Sequence, residues 1–133
     1  MTPDTRERSY SATAYYRPNS DRPNLVLLTD AFAKELIIEK EGSEWVAKGV
    51  KFLHNREEHV VKTEGEVIVC GGSVQSPQLL EISGIGNPQI LKAAGIEVKV
   101  DNPNVGENLQ EHMNKSYLSF PSKTSTALSD VPQ

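Results

Sequence analysis

Two adjacent glycines, Gly71 and Gly72, followed by Ser73 and then by Ser76-Pro77, are the residues of this chain best suited to holding a ligand. Without Cβ atoms, the backbone of such a pair can turn sharply and come close to a bound group. Ser76 suits an N-cap, and Pro77 suits the first helical position, where no backbone N–H is needed. A helix start leaves N–H groups without partners, and these favour a phosphate or another anionic group. The chemistry implied is cofactor or anion binding rather than bond making. Cys70 ends an apolar run, Val67-Ile68-Val69-Cys70, and is expected there as a small core residue. His54 and His59 flank the polar stretch Asn55-Arg56-Glu57-Glu58 with no third ligand nearby, so they are expected as solvated turn residues and no metal site is assigned.

The elements that must position these residues follow from the local pattern. Val67–Cys70 has the composition of a buried strand. Leu79, Leu80 and Ile82 give a short helix an apolar face, and Gly84 and Gly86 stop it. The unit is strand, glycine turn, short helix, glycine stop. Before it, Asn24–Thr29 is expected as a strand, and three further strand-like runs cover Ala33–Glu39, Val46–Leu53 and His59–Thr63. The separating stretches, Glu41–Glu44 and Asn55–Glu58, have turn composition and are short enough for antiparallel hairpins. Alternation at Leu36 and Ile38 and at Val50 and Phe52 predicts one buried sheet face. Arg8–Asn19 suits a short helix ended by Arg17-Pro18. After Gly86, Asn87-Pro88 starts a second helix with Ile90, Leu91 and Ala94 inward and Gly95 at its end. Ile96, Val98 and Val100 then suggest a half-exposed strand. The fold class expected is α/β in the sense of an α+β mixture, with an antiparallel β-meander over about residues 25–63, a strand-turn-helix unit over 66–86, and short helices.

Composition sets outer bounds on function. The 133 residues are 37% hydrophobic and 24% charged with a formal net charge of −4, as in a soluble globular chain with one modest core. No basic face stands out, so no nucleic acid partner is expected. No apolar run reaches membrane-spanning length, so no membrane partner is expected. The N-terminal stretch lacks the apolar centre of a secretory signal, which leaves a cytoplasmic protein or an internal piece of a longer one. One cysteine excludes a disulfide framework within the chain.

Residues 71–86, GGSVQSPQLLEISGIG, also resemble the second signature of the glucose-methanol-choline oxidoreductases, a family of FAD-dependent alcohol oxidases and dehydrogenases. Gly72, Ser73, Ser76, Pro77, Leu79, Leu80, Ser83, Gly84, Ile85 and Gly86 fill its fixed places. Arg8, Ser9, Ala12, Ala14 and Tyr15 are similar to a second family stretch, and Val105, Gly106, Asn108, Leu109 and His112 to a third, in which Glu111 stands where the family usually has aspartate. The resemblance implies residues 1–113 as a fragment of a Rossmann-like FAD-binding domain, followed by a polar tail at 114–133 that would begin a substrate domain. It implies FAD as cofactor and a small-molecule alcohol as substrate of the full enzyme, with hydride passing to the flavin. Cys70, Gly71 and Gly72 would approach the ribose and pyrophosphate, with Ser73 beside them. Ala33 matches a small aliphatic position whose backbone meets the adenine. No residue of this chain is implied as catalytic: the family's GxGxxG turn is absent from the 133 residues, and its catalytic histidine lies far downstream of any position matching His112. The chain alone is therefore expected to be inactive and prone to self-association. A truncated, non-enzymatic domain or interaction module is the alternative.

Overall fold

A computed structural model describes residues 8–111; His112 and the polar tail at 114–133 lie outside the described residues. Its best-formed part is a three-stranded antiparallel meander in the order β1-β2-β3, with β1 at Phe32–Glu41, β2 at Glu44–His54 and β3 at Glu57–Lys62. Both connections are two-residue turns. Gly42 takes a left-handed φ of +61° between Glu41 and Glu44. Asn55 and Arg56 both have positive φ, at 52° and 67°, between the paired residues His54 and Glu57. Mirror-image turns of this kind match the right-handed twist of the strands they join, which is why short polar turns produced tight hairpins.

The burial pattern on β1 follows the sequence alternation: Leu36 is 4% exposed and Ile38 is 8%. Helix α1, Gly72–Ile82, packs against this strand. Register shifts between Ala33 and Glu35 and between Ile37 and Ile38 interrupt the β1–β2 ladder. At the second shift the partner is Gly49, where a Cβ would sit 2.1 Å from the Val61 carbonyl oxygen of β3. Only glycine lets three backbones come this close. Ion pairs on the exposed side join Lys34 to Glu58 and Lys51 to Glu35 (2.9 Å), and Lys99 lies 3.9 Å from the same Glu35 carboxylate.

A second, smaller cluster forms around Leu91, which is 1% exposed. Helix α2, Pro88–Ala93, starts as its sequence predicts: the Asn87 side chain accepts a hydrogen bond from the Gln89 N–H at 2.9 Å, and Pro88 opens the helix. Of the three residues expected inward, only Leu91 is buried; Ile90 and Ala94 are exposed. On either side of this helix, β4 (Ile85–Gly86) and β5 (Val100–Asp101) pair in parallel. The strand expected at Ile96–Val100 is thus reduced to its last residue and Asp101, because only there does a partner offer ladder bonds. Val105 is the remaining buried apolar residue of this region.

Several expectations are corrected. Asn24–Thr29 and Val67–Cys70 belong to no strand, Asn24 lying in a turn, and both stretches expose apolar side chains: Val26 is 85% exposed and Ile68 79%. No described segment lies beside either to complete a hydrogen-bond ladder, and an apolar run without a ladder partner is not a strand. Cys70 is consequently an exposed free thiol, not a core residue. The N-terminal helix is a π-helical turn at Ala12–Tyr16 running into a 3-10 turn at Arg17–Asn19, so Pro18 sits inside the helical stretch instead of beyond it.

Candidate functional site

The glycine turn begins α1 earlier than Ser76-Pro77 suggests. The helix starts at Gly72, with Gly71 as its N-cap residue and Gly72 at φ +87°. Ser76 does not cap; it lies in the second turn, and its hydroxyl accepts a hydrogen bond from the Gly71 N–H at 2.9 Å. A side chain at Gly71 would crowd this fold-back, since a Cβ there would lie 3.2 Å from both the Gln75 Cβ and the Ser76 nitrogen. Pro77 is an interior helix residue, without the N–H that would bond the Ser73 carbonyl four residues before it. The first turn of α1 is therefore held by a side chain more than by the helix ladder, and the Gly71 N–H is already taken rather than free for an anion.

Between β1, the 67–70 segment and α1 lies a cleft of about 410 Å³. β1 contributes Phe32, Ala33 and Leu36; the segment before the glycine turn contributes Val67–Cys70; α1 contributes Gln75, Gln78, Leu79 and Ile82, with Gly71 at its end. The structure thus brings together three of the residues assigned from sequence, Ala33, Cys70 and Gly71. Gly72 and Ser73 stand next along the chain, at the start of α1, and are not part of the lining. The β1 register shift falls between Ala33 and Glu35, and a bulge of this sort re-aims the side chains beside it.

Sequence reasoning passes over Gln75 and Gln78, and it places Ser83 in the family signature without assigning the buried hydroxyl a role. The spacing of Gln75, Gln78, Leu79 and Ile82, three and four apart, is a one-face helical pattern that would have grouped them, had the helix been started at Gly72. Cys70 is the one titratable side chain in the lining, and among the described residues no group of three or more His, Cys, Asp or Glu could hold a metal ion. His54 and His59 lie on either side of the β2–β3 turn, their rings 6.2 Å apart, and neither lines the cleft.

This site can bind but carries little equipment for reaction. An apolar slot of this size, with small residues at its edges and two carboxamides along one wall, suits a flat heterocycle with hydrogen-bonding edges. It lacks a cationic side chain to meet a phosphate. The residues therefore fit one end of a dinucleotide such as FAD, its aromatic base and ribose, with the carboxamides of Gln75 and Gln78 as donors and acceptors.

Comparison with known proteins decides the family. The family description "GMC oxidoreductase" matches residues 1–114. The chain belongs to the GMC oxidoreductase family. As a GMC protein it has FAD as its family cofactor, in agreement with the expectation from residues 71–86. It is 47% identical over 109 residues to a dehydrogenase of Monascus purpureus, covering 81% of this chain and 18% of that protein. It is 41% identical to the GMC oxidoreductase family protein Mala s 12 of Malassezia sympodialis, covering 88% and 19%. With an oxygen-dependent choline dehydrogenase of Staphylococcus epidermidis the identity is 43%, over 80% and 18%. Among solved structures, an FAD-dependent oxidoreductase from Chaetomium thermophilum superposes with a TM-score of 0.64 at 27% identity, over 73% of this chain and 16% of that one. Pyridoxine 4-oxidase from Mesorbium loti gives 0.62 at 28%, over 73% and 18%. The chain spans about a fifth of the length of the curated relatives it matches.

Proposed function

We propose that this GMC chain supplies one wall of the FAD site of an oxidoreductase acting on the CH–OH group of a small alcohol. The observation that carries the reading is the cleft in which Ala33 and the distant pair Cys70-Gly71 face one space together with Gln75 and Gln78 of α1. In this reading FAD, when bound, accepts hydride from the alcohol carbon. The residues of this chain bind and orient. Ala33 and Gly71 keep the backbone close to the base and ribose, Gln75 and Gln78 meet the polar edges, and Leu36, Leu79 and Val67 exclude water from the apolar side. Gly72 and Ser73, one step beyond the cleft, are assigned to the pyrophosphate side on the strength of the family resemblance. The assignment of residues 1–113 to the FAD-binding domain rests on the same ground.

No base is assigned to this chain. A positioned general base contributes roughly 10²–10⁴-fold to such a step, and Cys70 is the one titratable group in the cleft. The test is a segment exchange. The matching stretch of the Staphylococcus epidermidis choline dehydrogenase is replaced by residues 8–111 of this chain, and flavin content is read by absorbance. Retention of FAD is expected, while the isolated chain with added FAD gives no steady alcohol turnover. A folded chimera without flavin would sink the cofactor assignment. Alcohol-dependent flavin reduction by the isolated chain would sink the binding-only role.

A further inference from the structure

The cleft has two walls from different elements, and one buried hydroxyl joins them. Ser83 follows α1 and is 1% exposed. Its Oγ accepts a hydrogen bond from the Leu36 N–H of β1 at 2.8 Å and donates one to the Leu79 carbonyl of α1 at 2.6 Å. Leu36 and Leu79 both line the cleft, on opposite sides, whereas Ser83 lies behind them. β1 is an edge strand, paired with β2 on one side only. Ser83 thus occupies a backbone donor on the open edge of β1 and anchors the C-terminal end of the helix whose N-terminal end carries Gly71. A buried hydroxyl with both its donor and an acceptor site used fixes a distance rather than merely filling space.

We infer that Ser83 is a positioning residue for the dinucleotide: by tying the Leu36 N–H to the Leu79 carbonyl it sets the separation of the two cleft walls. The inference rests on the proposed FAD role of the cleft. Ser83 touches neither the cleft space nor a ligand in it, so its effect passes through Leu36 and Leu79. Removing the hydroxyl leaves the Leu36 N–H without its partner and frees α1 to tilt about its packed face. A hydrogen bond of this kind is worth about 1 kcal/mol, a factor of about 5 in an equilibrium constant.

The experiment compares the 133-residue chain with Ser83→Ala and with Ile38→Val, a core change on the same strand outside the cleft. FAD affinity is measured by flavin fluorescence well below each melting temperature, and amide exchange is followed at Leu36. The expected result is faster exchange at Leu36 in Ser83→Ala and FAD binding weakened about 5-fold, with affinity unchanged in Ile38→Val even where the two melt alike. Equal affinities for Ser83→Ala and the unsubstituted chain, or equal losses in the two variants, would overturn the positioning role and leave the cofactor assignment standing. Failure of the unsubstituted chain to bind FAD would overturn the inference at its base. The segment exchange would then show whether the cofactor assignment fell with it.

Discussion

At the scale of single residues, the glycines separate into those that a side chain would strike and those that need only an unusual φ. Gly49 belongs to the first kind, because its Cβ would meet the Val61 carbonyl at 2.1 Å and that atom is backbone. Gly49→Ala is expected to destabilise the chain by about 3 kcal/mol, as in other overpacked sites, and a thermal or urea melt checks this. Gly42 and Gly72 belong to the second kind: both have positive φ, and neither would place a Cβ within 4 Å of another atom. Gly42→Val and Gly72→Val are therefore expected to cost similar stability in the isolated chain. They should part only in a flavin-loaded enzyme, where Gly72→Val loses FAD and Gly42→Val keeps it. Equal flavin content in the two would show that Gly72 does not approach the cofactor. Sequence alone marks Gly42 and Gly72 as turn residues and leaves Gly49 inside the expected strand Val46–Leu53; it does not separate collision from conformation, since that depends on which strand passes nearby.

At the scale of elements, the hairpins were legible because each is decided locally. Two-residue turns at Gly42-Ser43 and Asn55-Arg56 and the alternation through Leu36 and Ile38 need no distant information. The start of α1 was misplaced because Ser76-Pro77 is a strong local signal, overridden by the fold-back that Gly71 permits. Val67–Cys70 was misjudged for a different reason. A strand requires a neighbour, and no apolar run reveals in its own letters whether one is present. The meander also carries a pH dependence. The Lys34 ammonium, hydrogen-bonded to Glu58, holds that carboxyl below its ordinary value of 4.5. A depressed carboxyl contributes stability that is present above 4.5 and is lost as pH falls through the lower folded value. Glu58→Gln should remove this acid-side dependence. Because the pair is exposed, the change in the acid unfolding midpoint is expected to be small, and a large shift would show the pair to be better shielded than its surroundings indicate.

At the scale of the whole molecule, the described residues bury few apolar side chains and leave many open. Leu36, Ile38, Leu91 and Val105 form the buried apolar set, while Leu25–Leu28, Phe32, Val60, Val61 and Ile68 face outward. Among the described residues no helix is long and apolar enough to cross a membrane. Exposed apolar stretches with unpaired backbone tend to associate with one another. Light scattering of the isolated chain is expected to show self-association that grows with concentration, and a monodisperse monomer with a cooperative melt would contradict this.

The stretches at 25–29 and 67–70, which no ladder holds, are exposed to more than solvent. A protease needs several residues of backbone free to enter its groove, and these two stretches, outside every helix and strand, flank the meander on either side. Limited digestion should cut there first and release an intact piece close to residues 32–62. The second stretch is also one side of the cleft, so a molecule lying in that cleft would shield it. Susceptibility to cutting near Ile68 then becomes a gauge of occupancy, readable on a gel with no optical signal from the ligand at all.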